Sequence, residues 1–178
     1  MSSIVISGDT SGAITLAAPA VSGTNTVTLP AAAGTVMVSG NMPAVYVTAT
    51  GTQNISNTTW TKIQFNTETF DTNNCFDNAT NYRFTPTVAG YYFVSISYDA
   101  GPSSAITGIQ AAIYKNGSAQ GTNGSQWNLA NAGAQGYVNA LIYCNGSTDY
   151  IEGYQWTSTA SQGRINGNVF YAYMVRTA

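Results

Sequence analysis

Gly90-Tyr91-Tyr92-Phe93-Val94-Ser95-Ile96-Ser97-Tyr98 decides how the chain folds. The stretch has no charge, and aromatic and β-branched residues occupy both of its alternating sets of positions. That pattern predicts a strand with apolar side chains on both faces, as for a strand buried on both sides. Upstream, Tyr82-Arg83-Phe84 reads as a short strand ending at Pro86. Thr59 to Phe65 alternates strictly, with Trp60, Lys62 and Gln64 on one face and Thr61, Ile63 and Phe65 on the other. Val45 to Ala49 precedes it as a further strand. Downstream, Ile106 to Lys115 leads into Asn116-Gly117, a strong hairpin signal because both residues tolerate positive φ. Ala134 to Tyr143, Tyr150 to Thr157 and Asn168 to Val175 complete about eight strands. Asn128 to Ala134 is the one doubtful helical stretch, and its Gly133 argues against a helix. Strands at this density predict an all-β sandwich or barrel.

The last strand sets Phe170, Ala172 and Met174 against Tyr171, Tyr173 and Val175. One set should enter the core and the other should face a neighbour. Beside the Tyr91 to Val94 strand, this is more aromatic surface than one small domain can bury, and large exposed apolar patches mark interfaces. The expected interface residues are Tyr91, Phe93, Tyr171 and Tyr173.

Four groups of residues carry a family likeness: Phe76-Asp77; Phe84-Thr85-Pro86-Thr87-Val88-Ala89-Gly90-Tyr91-Tyr92; Lys115-Asn116-Gly117; and Leu141 to Ile151, with Asp149-Tyr150-Ile151 and Gly146 two residues upstream of its usual place. Phe170-Tyr171-Ala172 stands near the end, with Ala at a family glycine. In these the chain resembles the C1q/tumour-necrosis-factor-like jelly roll. The resemblance implies a ten-stranded jelly-roll β-sandwich and a tight homotrimer with aromatic packing near its axis.

Residues 1–43 differ from the head at 44–178, because they contain no aromatic residue. Ile4-Val5-Ile6, Ile14-Thr15-Leu16, Val27-Thr28-Leu29 and Val36-Met37-Val38 read as short strands separated by turn residues, with Met42-Pro43-Ala44 as the hinge. Such strands bury too little area to offset the entropy of ordering them, so this N-terminal β arm must pack on something. Either three copies wrap into a stalk or the arm lies on a larger assembly. Gly8 to Leu16 and Asn25 to Ala31 resemble the N-terminal segments of phage fibre and virion proteins, which implies attachment to other virion proteins through residues 1–43.

Composition excludes several functions. Charged residues make up only 7% of the chain, against about 25% in ordinary proteins, and net charge is −2. The five basic residues are scattered, so neither a nucleic-acid footprint nor a lipid-binding cluster is expected. No apolar run is long enough to span a membrane, and the opening Met1-Ser2-Ser3-Ile4 lacks the basic region of a signal peptide. The expectation is a protein made in a host cytoplasm and located in a virion. Cys75 and Cys144 have neither CxxC spacing nor histidine beside them, so no zinc site is expected, and two reduced, half-buried thiols are favoured over a disulfide.

The chain has no histidine, which removes the usual general base, and no enzymatic activity or cofactor is expected. Glu68, Asp71 and Asp77 flank one Asn-rich loop. Turn stabilisation is the favoured role, with a calcium site at Asp71 and Asp77 as the alternative. Trp127 and Trp156 lie in polar surroundings that suit stacking on a host-surface glycan, although ordinary loop anchoring is favoured. The resulting expectation is a trimeric phage fibre or adhesin. A capsid decoration (cement) protein anchored by the arm is the alternative, and a free C1q-like recognition module is a rival of another class.

Overall fold

The computed structural model describes the chain except residues 1–2, 9, 22, 28–30, 32, 35, 101–107, 128–133, 159–160 and 165–166. For residues 3, 100, 121–127, 134–135 and 161–164 it describes the backbone alone. The described elements are strands and one 3-10 turn at Ser39–Asn41, and no helix among them is long and apolar enough to cross a membrane. The chain divides into two compact units, Met1–Gly34 and Thr35–Ala178.

The first unit is a hairpin of β1 (Ser3–Ser7) and β2 (Ala13–Ala17), with Ile4 opposite Leu16 and Ile6 opposite Ile14. Two of the four expected apolar triplets therefore form strands. The third overlaps residues outside the described set. The fourth, Val36 to Val38, pairs with no strand, because the Asn41 side chain takes its backbone groups. The Val38 N–H donates to Asn41 Oδ1 (2.7 Å), and Asn41 Nδ2 donates to the Val36 carbonyl (3.1 Å). The second unit starts ahead of the Met42-Pro43-Ala44 hinge. Pro43 is buried, and its carbonyl accepts the Met174 N–H at 3.0 Å.

The second unit comprises β3 (Ala44–Thr48), β4 (Thr52–Ile55), β5 (Thr61–Lys62), β6 (Thr67–Asp71), β7 (Phe76–Asp77), β8 (Arg83–Phe84), β9 (Ala89–Ala100), β10 (Gly108–Lys115), β11 (Ser118–Trp127), β12 (Ala134–Asn145), β13 (Ile151–Thr157), β14 (Ser161–Arg164) and β15 (Val169–Thr177). A five-stranded sheet in the order β12-β9-β15-β3-β6 faces a six-stranded one in the order β11-β10-β13-β8-β7, with β5 also on β13. All ladders are antiparallel, and β14-β4 forms a separate pair. The eleven strands of the two main sheets exceed the ten of the expected jelly roll because β5, β7 and β8 are two-residue ladders. The strands read from the sequence between Val45 and Val175 are present, but the one expected over Thr59 to Phe65 is reduced to the two-residue β5. Ile106, at the head of another, lies outside the described residues, as does the doubtful helical stretch apart from Ala134. β11 escapes a reading by hydrophobic period because Ser118–Trp127 has almost no apolar residues. It exists because Asn116 (φ 51°) and Gly117 (φ 77°) fold the chain back so that Lys115 pairs with Ser118.

The core lies between the two sheets. From β9 come Tyr92, Val94, Ile96 and Tyr98; from β15, Phe170, Ala172 and Met174; from β3, Val45 and Val47. The Phe170 ring meets those of Phe76 (5.2 Å), Phe65 (5.6 Å) and Phe84 (6.2 Å). Cys75 and Cys144 are free and fully buried, deeper than the half-burial expected, and burial pushes the Cys144 thiol up to about 12.

The turn from β12 to β13 is held by side chains that the sequence placed far apart. Asn145 Oδ1 accepts the N–H groups of Ser147, Thr148 and Asp149. Asp149 accepts from Asn116 Nδ2 (2.7 Å) and pairs with Lys115 (2.8 Å), so the Lys-Asn-Gly turn is tied to Asp149. These donors, Lys115 foremost, hold the Asp149 carboxyl below its usual range. Gly146 makes the turn possible with φ of +74°, and a Cβ there would strike the backbone of Val88 (2.6 Å) and Ala89. Gly146→Ala is therefore expected to cost at least about 2–3 kcal/mol, combining strain at positive φ with a backbone shift. Chemical denaturation of the two proteins at equal chain concentration measures this difference.

Candidate functional site

The five-stranded sheet has a second face, whose large outward side chains are left partly exposed by the rest of the second unit. The alternation that buries Phe170, Ala172 and Met174 turns Tyr171, Tyr173 and Val175 outward, with Tyr173 46% and Val175 47% exposed. On β9 the same alternation turns Tyr91 and Phe93 outward, with Tyr91 38% exposed. The expectation that this strand is buried on both faces does not hold for the single chain, because a sandwich has one core and only one face of each sheet reaches it.

The outward side chains form a row across the strands, made of two groups of ring contacts. Phe70 on β6 stacks with Tyr46 on β3 (6.2 Å), and Tyr46 with Tyr171 on β15 (6.5 Å). Phe93 on β9 contacts both Tyr171 (6.3 Å) and Tyr173 (5.5 Å). Tyr91 meets Tyr143 on β12 (5.6 Å). Beyond it Leu141 is 63% exposed. A groove of about 290 Å³ between β6, β3 and β15 is lined by Tyr46, Phe70, Tyr171 and Tyr173, together with Ala44 and Ala172. Cations sit at the row's edge, with Arg176 over Tyr91 (5.3 Å) and Lys115 over Tyr143 (5.5 Å). An apolar, aromatic centre with charge kept to the edge is how protein interfaces are built.

All four sequence-derived interface residues share this face. Phe93 touches Tyr171 and Tyr173, and Tyr91 lies on the same strand toward β12. Sequence reading missed Tyr46, Phe70, Tyr137, Leu141 and Tyr143. The signal for three of these was available: Tyr137, Leu141 and Tyr143 alternate with the buried Val138, Ile142 and Cys144.

The acidic loop is built as a turn. Asp71 accepts the N–H groups of Asn73 (3.2 Å) and Phe76 (2.7 Å). Asp77 accepts those of Ala79, Thr80 and Asn81 and also the Asn81 side chain (2.7 Å). Glu68 lies exposed on β6. Among the described residues no group of three acidic, Cys or His side chains is placed to hold a metal ion. The Thr80 N–H and the Asn81 amide lead in holding the Asp77 carboxyl down to about 2. A lowered folded-state value means stabilisation that is complete above the unfolded pKa of about 4 and is lost as pH falls through about 2. The stability gap between the native protein and Asp77→Ala is therefore expected to shrink on acidification from pH 5 to pH 2, as read by denaturant titration at each pH.

The outer face of the six-stranded sheet holds a smaller cluster. The Tyr114 ring meets that of Tyr154 in a tilted contact at 4.2 Å and that of Trp60 at 6.3 Å, and the buried Glu152 pairs with Lys62 beside them. Trp156 is partly buried on β13, opposite Gln110, and Trp127 lies opposite Gly108 with its side chain outside the described set.

No family model matches the chain, and no curated protein matches it in sequence. Solved structures match in shape. Murine APRIL at pH 5.0 superimposes with a TM-score of 0.56 at 8% identity, covering 75% of this chain and 99% of that one. Murine APRIL at pH 8.0 gives a TM-score of 0.53 at 10% identity, with the same coverage. At such identity the likeness concerns the fold, and the fold is the jelly-roll β-sandwich of the tumour-necrosis-factor/C1q type.

Proposed function

We propose that the chain is a non-enzymatic structural protein of a tailed-phage virion, a homotrimeric fibre or adhesin. In this reading the head trimerises through the outward face of its five-stranded sheet, and the N-terminal arm attaches to other virion proteins. The observation that carries it is the partly exposed aromatic row from Phe70 to Tyr143. Buried aromatics remove about 150–250 Å² each from water, so covering this row in copies of itself supplies the main driving force for assembly. Threefold assembly is what the jelly-roll resemblance implies. The arm's likeness to phage fibre segments supports the virion assignment, and the exposed apolar hairpin supports attachment by the arm. Contact with a host-surface glycan is assigned to the head, with Trp156 and Trp127 as its first candidates.

Purified particles test this reading through the number of copies they carry. A few tens of copies or fewer are expected. Hundreds per particle would instead mean a decoration protein threaded over the shell, and absence from particles would remove the virion role. A glycan array on the isolated trimer, with adsorption of particles lacking the gene, tests the receptor role. Unchanged adsorption and an empty array would remove that role.

A further inference from the structure

The hairpin of the first unit is amphipathic in an unusual sense. Pairing Ile4 with Leu16 and Ile6 with Ile14 puts four large apolar side chains on one face. All four are exposed, at 66%, 57%, 56% and 67% in that order. The other face carries a single large apolar residue, Val5, paired with Thr15, with Ala13 and Ala17 beside them. Neither strand contains a charged residue. A two-stranded hairpin is marginal in water and needs a further strand or a packed face to persist. We propose that the Ile4/Ile6/Ile14/Leu16 face is covered by the same face of the hairpins of two further copies, three faces meeting around one axis as an apolar stalk.

This rests on the trimeric reading of the head. Three observations favour copies of the hairpin over another occupant. The apolar side chains are gathered on one face, and three such faces close around a threefold axis while leaving the small-residue faces in water. The strands have no charge with which to select a partner of opposite sign or to repel one another. Residues 18–34 are the only chain between β2 and the second unit, so in a trimer three identical hairpins share a local concentration on the order of millimolar without further cost. Val21 and Val27, exposed at 91% and 86% in that connection, extend the apolar surface beyond the hairpin.

Hydrogen exchange on the full chain, run beside sedimentation, tests the proposal with the variant Ile6→Asn/Ile14→Asn. The expected result is a trimer whose amides in Ser3–Ser7 and Ala13–Ala17 are protected, with protection falling by about a hundredfold or more in the variant while the head remains trimeric. Fast exchange of these amides in a trimeric wild type would overturn the stalk and leave the head assembly standing. Protection unchanged in the variant would place the hairpin elsewhere, by edge pairing or against the head, and would equally overturn it. A monomeric wild type would remove both the stalk and the trimeric reading beneath it.

Discussion

Tyr173→Asp should leave the head folded and abolish the trimer. Tyr173 points away from the core, is 46% exposed in the single chain and touches Phe93 in the middle of the outward row. Its substitution removes no core contact, so the isolated head keeps its sandwich. In an assembly built on this face, a carboxylate would be desolvated among aromatic rings with no cation opposite, because Arg176 and Lys115 lie toward Tyr91 and Tyr143 at the edge. An uncompensated buried charge costs about 3–5 kcal/mol, and threefold symmetry repeats the cost in each copy. Sedimentation velocity of the variant should show a single-chain species at concentrations where the wild type is trimeric, with unchanged far-UV circular dichroism. An intact trimer formed by the Tyr173→Asp variant would mean that this face is not the interface.

Phe170→Ala should have the opposite character, a loss of stability rather than of assembly geometry. Phe170 is fully buried and is the residue on which three rings converge, Phe76 and Phe84 from the facing sheet and Phe65 from the connection between β5 and β6. Removing it opens a cavity that three rigid rings cannot close, for a cost of about 3–5 kcal/mol. For a chain of this size that lowers Tm by about 6–20 °C, measured at one fixed chain concentration because assembly contributes to Tm. A drop of only a degree or two would mean that β15 faces the other way and that Tyr171 is the core residue. Together the two substitutions test the parity of one strand from both sides.

That parity was readable from the sequence, because Val169 to Val175 alternates, up to the register shift against β9 between Met174 and Arg176. So were the Asn116-Gly117 hairpin and the one-sided burial of Ile63 and Phe65. Less legible was anything held by side-chain capture of backbone. Val36 to Val38 has the composition of a strand, yet Asn41 takes its hydrogen bonds at short range. Gly146 looked displaced from the family pattern, yet it supplies the positive φ that packs its turn against Val88 and Ala89. β11 has the polar composition of a loop and becomes a strand through its partner. The aromatic face was half legible. Its members on β9 and β15 stand in obvious apolar runs, whereas Tyr46 and Phe70 join it through pairing across β3 and β6, which period alone does not give.

The outward face and the arm's bare hairpin lead to the same statement about the physics: this chain carries more apolar surface than it can cover by itself. Sedimentation equilibrium of the unmodified chain, followed through serial dilution, weighs that statement directly. The expected mass is three times the 18.6 kDa of one chain, held to low concentration. A stable species of one chain, with Tyr91, Phe93, Tyr171 and Tyr173 open to solvent and the first forty residues ordered, would contradict it.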